Sequence, residues 1–146
     1  MNSLQEKVPH FEAVEFRSQK LISLYDLLGD RALLMLFFPW PSNEIEQLKS
    51  AIKTFSEDVI PKGMRMTAIL STLAQKEAQE FAHQSDWQFP ILNDKDNSIK
   101  NSFGAHSSTP EFFLYDQRGH LLTHQTLTLP NLTTGARHLF PEKVPY

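Results

Sequence analysis

Leu33-Leu34-Met35-Leu36-Phe37-Phe38-Pro39-Trp40, running into Pro41-Ser42-Asn43-Glu44, is the stretch that decides the fold. Ala32 to Phe38 is almost continuously apolar, as a strand must be when a parallel sheet is covered on both faces. Beyond the Trp, Ile45, Leu48, Ile52, Phe55 and Val59 recur at three- and four-residue steps, giving one apolar stripe on a helix from Asn43 to about Ile60. Asn43 is placed as its N-cap, with Glu46 three residues later as in a capping box. A buried strand feeding an amphipathic helix is the repeating unit of an α/β domain.

Outward from this stretch the pattern continues. Phe11 to Phe16 reads as a short edge strand, with Gln19-Lys20 as a turn and a short helix from Ser23 to Leu28, capped by Ser23 and closed by Gly29. Met64 to Leu70 is the next strand. Thr72 then caps a helix with Gln75 as box partner, and Ala74, Ala78, Phe81 and Ala82 face inward. Trp87 to Leu92 is extended, and Asn97 to Phe103 is a short helix ended by Gly104. Phe112–Tyr115, the Asp116–Gly119 turn and Leu121–Leu127 form a hairpin. A weaker helical segment near Thr134 to Phe140 precedes a Pro-containing tail. The expectation is one domain over residues 1–146, with Ala32–Phe38 and Met64–Leu70 parallel at its centre and the hairpin at one side.

Composition excludes several function classes. The 146 residues carry a net charge of -3, so there is no basic footprint for nucleic acid. No apolar run reaches the roughly 18 residues of a membrane span. Met1 to Lys7 lacks the charged start and apolar run of a signal peptide, so a cytoplasmic protein is expected. With no cysteine there is neither a disulfide framework nor a thiolate metal site. His10, His83, His106 and His138 are isolated; His120 and His124 share one strand face with Leu122 between them, too far apart for a ligand pair. They read as surface or hairpin residues, and no metal is expected. None of the five glycines lies in a phosphate loop, so no nucleotide or other cofactor is expected either.

From Val8 to about Leu127 the chain resembles the alkyl hydroperoxide reductase/thiol-specific antioxidant family, the peroxiredoxins and their thiol-disulfide oxidoreductase relatives. The matching residues are Val8-Pro9-His10-Phe11, Ser23 to Leu27, Phe37-Phe38-Pro39-Trp40, Ala68-Ile69-Leu70-Ser71, Glu77-Ala78 and Phe81. Phe89 to Asp94, Phe103-Gly104, Thr109-Pro110 and Phe113 to Asp116 with Gly119 complete the series. The resemblance implies a thioredoxin-like three-layer α/β domain, a central mixed sheet with helices on both faces.

It also implies where chemistry would sit. If Trp40 matches the Trp before a Cys-x-x-Cys pair, the cysteine positions are Pro41 and Glu44. If Pro39 matches the peroxiredoxin Pro-x-x-x-Thr-x-x-Cys, the Thr position is Asn43 and the peroxidatic position is Glu46. Ser42 falls on neither, and a hydroxyl without a paired base would not replace a thiolate. The Arg that the family places near Thr-Pro is missing from Ser107 to Phe112. Disulfide exchange and peroxide reduction need a thiolate nucleophile, so the resemblance brings the fold without the activity. No catalytic residue is assigned. The vestigial region comprises Pro39, Trp40, Pro41, Ser42, Asn43, Glu44, Glu46, Thr109 and Pro110.

Two readings of that region stand side by side. Glu44 and Glu46 are either ordinary helix-start acids, each gaining about 0.3–1 kcal/mol from the dipole, or a fixed-charge imitation of a thiolate. Trp40 either covers the strand end or anchors a partner. In the resembling family the Thr-Pro bond is cis, faces the helix and borders backbone that pairs with extended peptides. The partner expected on that ground is a protein or peptide, or a second copy in a homodimer. The alternative is the family's own thiol peroxidase or thiol-disulfide oxidoreductase label. Acid/base chemistry through Glu44, Glu46 or His106 lacks a nucleophile–base pair.

Overall fold

The computed structural model describes residues 7–28, 31–39, 43–105 and 108–136, with the backbone alone for residues 43 and 44. The strand β3 (Leu33–Pro39) buries its first six residues because it is hydrogen-bonded on both sides and covered on both faces. On one side β4 (Arg65–Ser71) runs parallel to it, from Leu33↔Arg65 to Pro39↔Ser71. On the other, β6 (Glu111–Tyr115) runs antiparallel, from Leu33↔Tyr115 to Phe37↔Glu111. With β1 (Glu12–Glu15), β2 (Leu21–Ser23), β5 (Ile91–Asn93) and β7 (Leu121–Thr126), the described residues form one seven-stranded mixed sheet, ordered β2-β1-β5-β4-β3-β6-β7.

Alternation along β3 divides the core into two. Leu34, Leu36 and Phe38 join Ile45 and Ile52 of α2 (Asn43–Val59), Ala78 and Phe81 of α3 (Gln75–Gln84) and Leu132 of α5 (Leu129–Ala136). Leu33, Met35 and Phe37 join Leu24 and Leu27 of α1 (Leu24–Leu28) and Ile99 and Phe103 of α4 (Ser98–Phe103). The α2 stripe buries Ile45, Ile52 and Val59, with Leu48 and Phe55 partly covered, as its spacing predicts. This is the three-layer arrangement expected from the sequence.

Several local expectations are corrected. Phe11–Phe16 does not hold an edge strand: β1 bonds to β2 on one side and β5 on the other. The edge is β2, too short for alternation to reveal, and the chain reaches it through Gln19 at φ 61. Ser23 opens α1 in a reversed sense, its N–H and hydroxyl both donating to the Asp26 carboxylate. Of the extended stretch from Trp87, only Ile91–Asn93 pairs as strand; Trp87 and Phe89 are held instead by ring stacking at 5.0 Å, and the Trp87 indole donates to the Lys49 carbonyl of α2. The Thr72 hydroxyl accepts the Ala74 N–H, so it closes a turn ahead of α3. The last helix starts at Leu129, not Thr134, because Thr128 caps the Asn131 N–H and Pro130 sits in the first turn, where no N–H is needed. Gly29 and residues 137–140 of the expected elements lie outside the described residues.

One polar cluster closes the β1 side of the sheet. The Glu15 carboxylate, only 5% exposed, accepts the N–H groups of Arg17, Ser18 and Ile91 and the Arg17 Nε. The Arg17 guanidinium in turn donates to the carbonyls of Trp87 and Phe89. Burial alone would raise the Glu15 pKa, but the Ile91 and Ser18 N–H groups and the Arg17 side chain outweigh it and hold the carboxyl below its ordinary 4.5. The stabilisation is therefore complete above about pH 4.5 and is lost as pH falls through the lower folded-state value. Glu15→Gln, which turns one acceptor oxygen into a donor, is expected to cost about 2 kcal/mol at pH 7. Urea unfolding followed between pH 7 and 3 should show a shallower acid loss for the variant than for the parent.

Candidate functional site

The C-terminal ends of β3, β4 and β5 and the start of β6 meet at one end of the sheet. Pro39 is in register with Ser71, Leu70 with Asn93, and Phe37 with Glu111. Asp94, which follows β5 and is 2% exposed, organises this end. Its N–H donates to the Leu70 carbonyl, and its carboxylate accepts the Ser71 hydroxyl at 2.8 Å and the N–H groups of Ile99 and Lys100 at 2.9 Å. Asp94 thus caps α4 from five residues away, while Asn97, in the left-handed region at φ 65, makes the turn.

The sequence-derived region is only partly placed. Pro39 is the half-buried last residue of β3. Trp40, Pro41 and Ser42 lie outside the described residues, as do the side chains of Asn43 and Glu44, whose backbone opens α2. The capping expected of Asn43 is outside them too. Glu46 is exposed on the first turn of α2, where a carboxylate faces solvent and the positive end of the helix dipole. Thr109 is exposed and Pro110 buried. The Pro110 carbonyl accepts the Leu127 N–H at 2.9 Å, tying the bend to the end of β7. The last β3–β6 pair is Phe37↔Glu111, so Pro39 and Thr109 each lie two residues beyond it along the chain.

Beside this bend stands a pair that the sequence reading missed. Glu111, 7% exposed, is hydrogen-bonded to His124 Nε2 of β7, and the imidazole stacks on Phe113 with ring centroids 3.8 Å apart. A β-bulge brings them together. Tyr115 pairs with Leu121 but Leu114 with Thr123, so β7 carries one extra residue, Leu122, and His124 turns to the Glu111 face. Simple alternation placed His120 and His124 together on one face. The structure places His120 just after the turn, bridged to Lys7 and 3.7 Å from the Asp116 carboxylate. A carboxylate that orients an imidazole can move a proton, but His124 has no other hydrogen-bond partner among the described residues. Nor do three His, Asp or Glu side chains gather there as a metal site.

A central mixed sheet of this strand order between two helical layers defines the thioredoxin-like class. A Chlorobium tepidum protein assigned as the thiol:disulfide interchange protein DsbE superposes with a TM-score of 0.81 at 16% identity, covering 93% of this chain and 96% of its own. The peroxidoxin BcpB of Mycobacterium tuberculosis gives 0.78 at 15%, with 93% and 97% covered. An uncharacterized conserved protein of Geobacillus kaustophilus gives 0.78 at 20%, with 88% and 71% covered. At these identities the likeness carries the fold alone. No curated protein matches the chain in sequence. Residues 4–124 match the AhpC/TSA family, and the chain belongs to it.

The Glu111–His124 pair generates a prediction. His124→Ala leaves a buried carboxylate with one charged-capable partner fewer and should cost about 1–3 kcal/mol. In a double-mutant cycle with Glu111→Gln, chemical denaturation should return a coupling of at least about 0.5 kcal/mol.

Proposed function

We propose that this chain is a redox-inactive member of the AhpC/TSA family that binds a protein or peptide partner, or a second copy of itself, through the face where its relatives carry their thiols. One observation carries the reading: the frame is retained while cysteine is absent from every position, including both registers of the active site. Without a thiolate the chain has no nucleophile for disulfide exchange or peroxide reduction. What the retained frame offers is a rigid recognition surface. Trp40 and Pro41 cost little conformational entropy to order, and exposed Thr109 stands next to buried Pro110 on the sheet side. Glu44 and Glu46 add fixed negative charge at the start of α2, so the reading favours a partner with a neutral or basic extended segment. The cytoplasm is the compartment this reading assumes. No helix among the described residues is long and apolar enough to cross a membrane.

Two experiments test this. Purified protein should consume no hydrogen peroxide and reduce no insulin disulfide above a buffer blank; robust turnover by the unaltered chain would overturn the inactive reading. Glu46→Cys should give a thiol that reacts with a disulfide reagent yet supports at best slow peroxide consumption, because the Arg and hydroxyl partners are still lacking. Independently, Trp40→Ala should weaken self-association in sedimentation equilibrium, or binding to a panel of extended peptides, by more than about 1 kcal/mol if the ring is an anchor. A variant that merely unfolds, with neither form of binding seen in the parent, assigns Trp40 to the core and removes the recognition surface.

A further inference from the structure

At the opposite end of the sheet, about 20 Å away along the six residues from Ser71 to Arg65, lies a cavity of about 340 Å³. Its floor is apolar, formed by Met64, Met66 and Phe89, all no more than 2% exposed, with Ile60 and Pro90 beside them. Two exposed arginines, Arg31 and Arg65, line the same cavity. Among the described residues neither guanidinium meets a carboxylate. Arg65 Nη1 makes one long contact of 3.4 Å with the Asp26 carbonyl, and Arg31 Nη1 lies over Gly63 in the turn that ends α2. The recess thus sets two guanidiniums, unpaired with any carboxylate among the described residues, beside an apolar floor in a chain of net charge -3.

The recess is built from fixed parts. Arg65 opens β4, and its N–H donates to the Ala32 carbonyl. Gly63, at φ +108, lets the chain leave α2 sharply: the Met64 N–H returns to the Val59 carbonyl and the Gly63 N–H to Ile60. The far wall, Gln88 to Pro90, is held from behind by Arg17, which donates to the carbonyls on either side of Gln88. The pocket is therefore largely pre-formed, with a few convergent polar groups on an apolar body, as small-molecule sites are. The guanidinium fork matches the oxygens of a carboxylate or phosphate.

We propose that this recess binds a small organic anion, a carboxylate or phosphate group carried on an apolar body, with Arg31 and Arg65 on the charge and Met64, Met66 and Phe89 on the body. The site is separate from the vestigial thiol face and does not rest on the reading of that face. The test titrates the folded full chain with 1-naphthoate, 1-naphthyl phosphate, inorganic phosphate and 2-naphthol, following amide resonances of residues 60–66 and 88–91. Saturable shifts confined to those residues are expected with the two naphthyl anions, at least tenfold tighter than with inorganic phosphate or the neutral naphthol. Whichever naphthyl anion binds tighter assigns the head group. The exposed pair Arg31→Gln and Arg65→Gln should lower the affinity at least tenfold while the remaining spectrum stays that of the folded protein. Affinity unchanged in that double variant, equal binding of the neutral naphthol, or no saturable shift with either anion would each overturn the proposal.

Discussion

Everything in this molecule is arranged by the two-sided confinement of β3. A strand with parallel and antiparallel neighbours and a helical layer on each face has no polar position to spare, and Leu33 to Phe38 are buried without exception. Each such side chain contributes on the order of 1.5–3 kcal/mol relative to exposure, as an upper estimate. The same confinement fixes what stands at the strand's two ends. At one end β3 closes on Pro39, in register with Ser71, with Glu111 across from Phe37. At the other it lets Arg31 and Arg65 flank an apolar recess that the sheet no longer covers.

The sequence makes this centre legible because its physics is local. An unbroken apolar run, a helical stripe and a Gly-containing hairpin turn are each read from neighbours a few residues apart, and all three are found where expected. What escaped are features whose cause is distant. The internal position of β1 depends on β5, nearly eighty residues later, and on a three-residue edge strand with no periodicity to show. Glu15 gives no hint in sequence that its carboxylate will be buried against the Ile91 N–H. Asp94 was visible only as part of a resemblance, and its capping of α4 needs the left-handed turn at Asn97. Of the candidate site, motif order singled out Pro39 and Thr109-Pro110 as expectations, but nothing local could pair Glu111 with His124.

Buried polar groups here serve architecture. Glu15 joins β1 to the segment before β5, Asp94 joins β4 to α4, and Glu111 joins β6 to β7. Each carboxylate spans two elements and accepts from N–H, hydroxyl or imidazole groups, the arrangement that allows an acid to be buried. These joints stand in a chain that carries no cysteine. Glu46, one of the positions aligned with a family cysteine, is exposed and takes no part in them.

The extra residue at Leu122 has an evolutionary side. Because alternation along a strand has a period of two, pairing Leu122 regularly instead of bulging it out would turn Thr123, His124, Gln125 and Thr126 each onto the opposite face. His124 would then lie against Phe112 under α5, where Gly135 already leaves no slack between helix and sheet. Glu111 would lose its imidazole in the same step. Loss of Leu122 itself would leave every pair of this ladder in place, so the bulge lets the edge carry one residue more or fewer while each side chain keeps its layer.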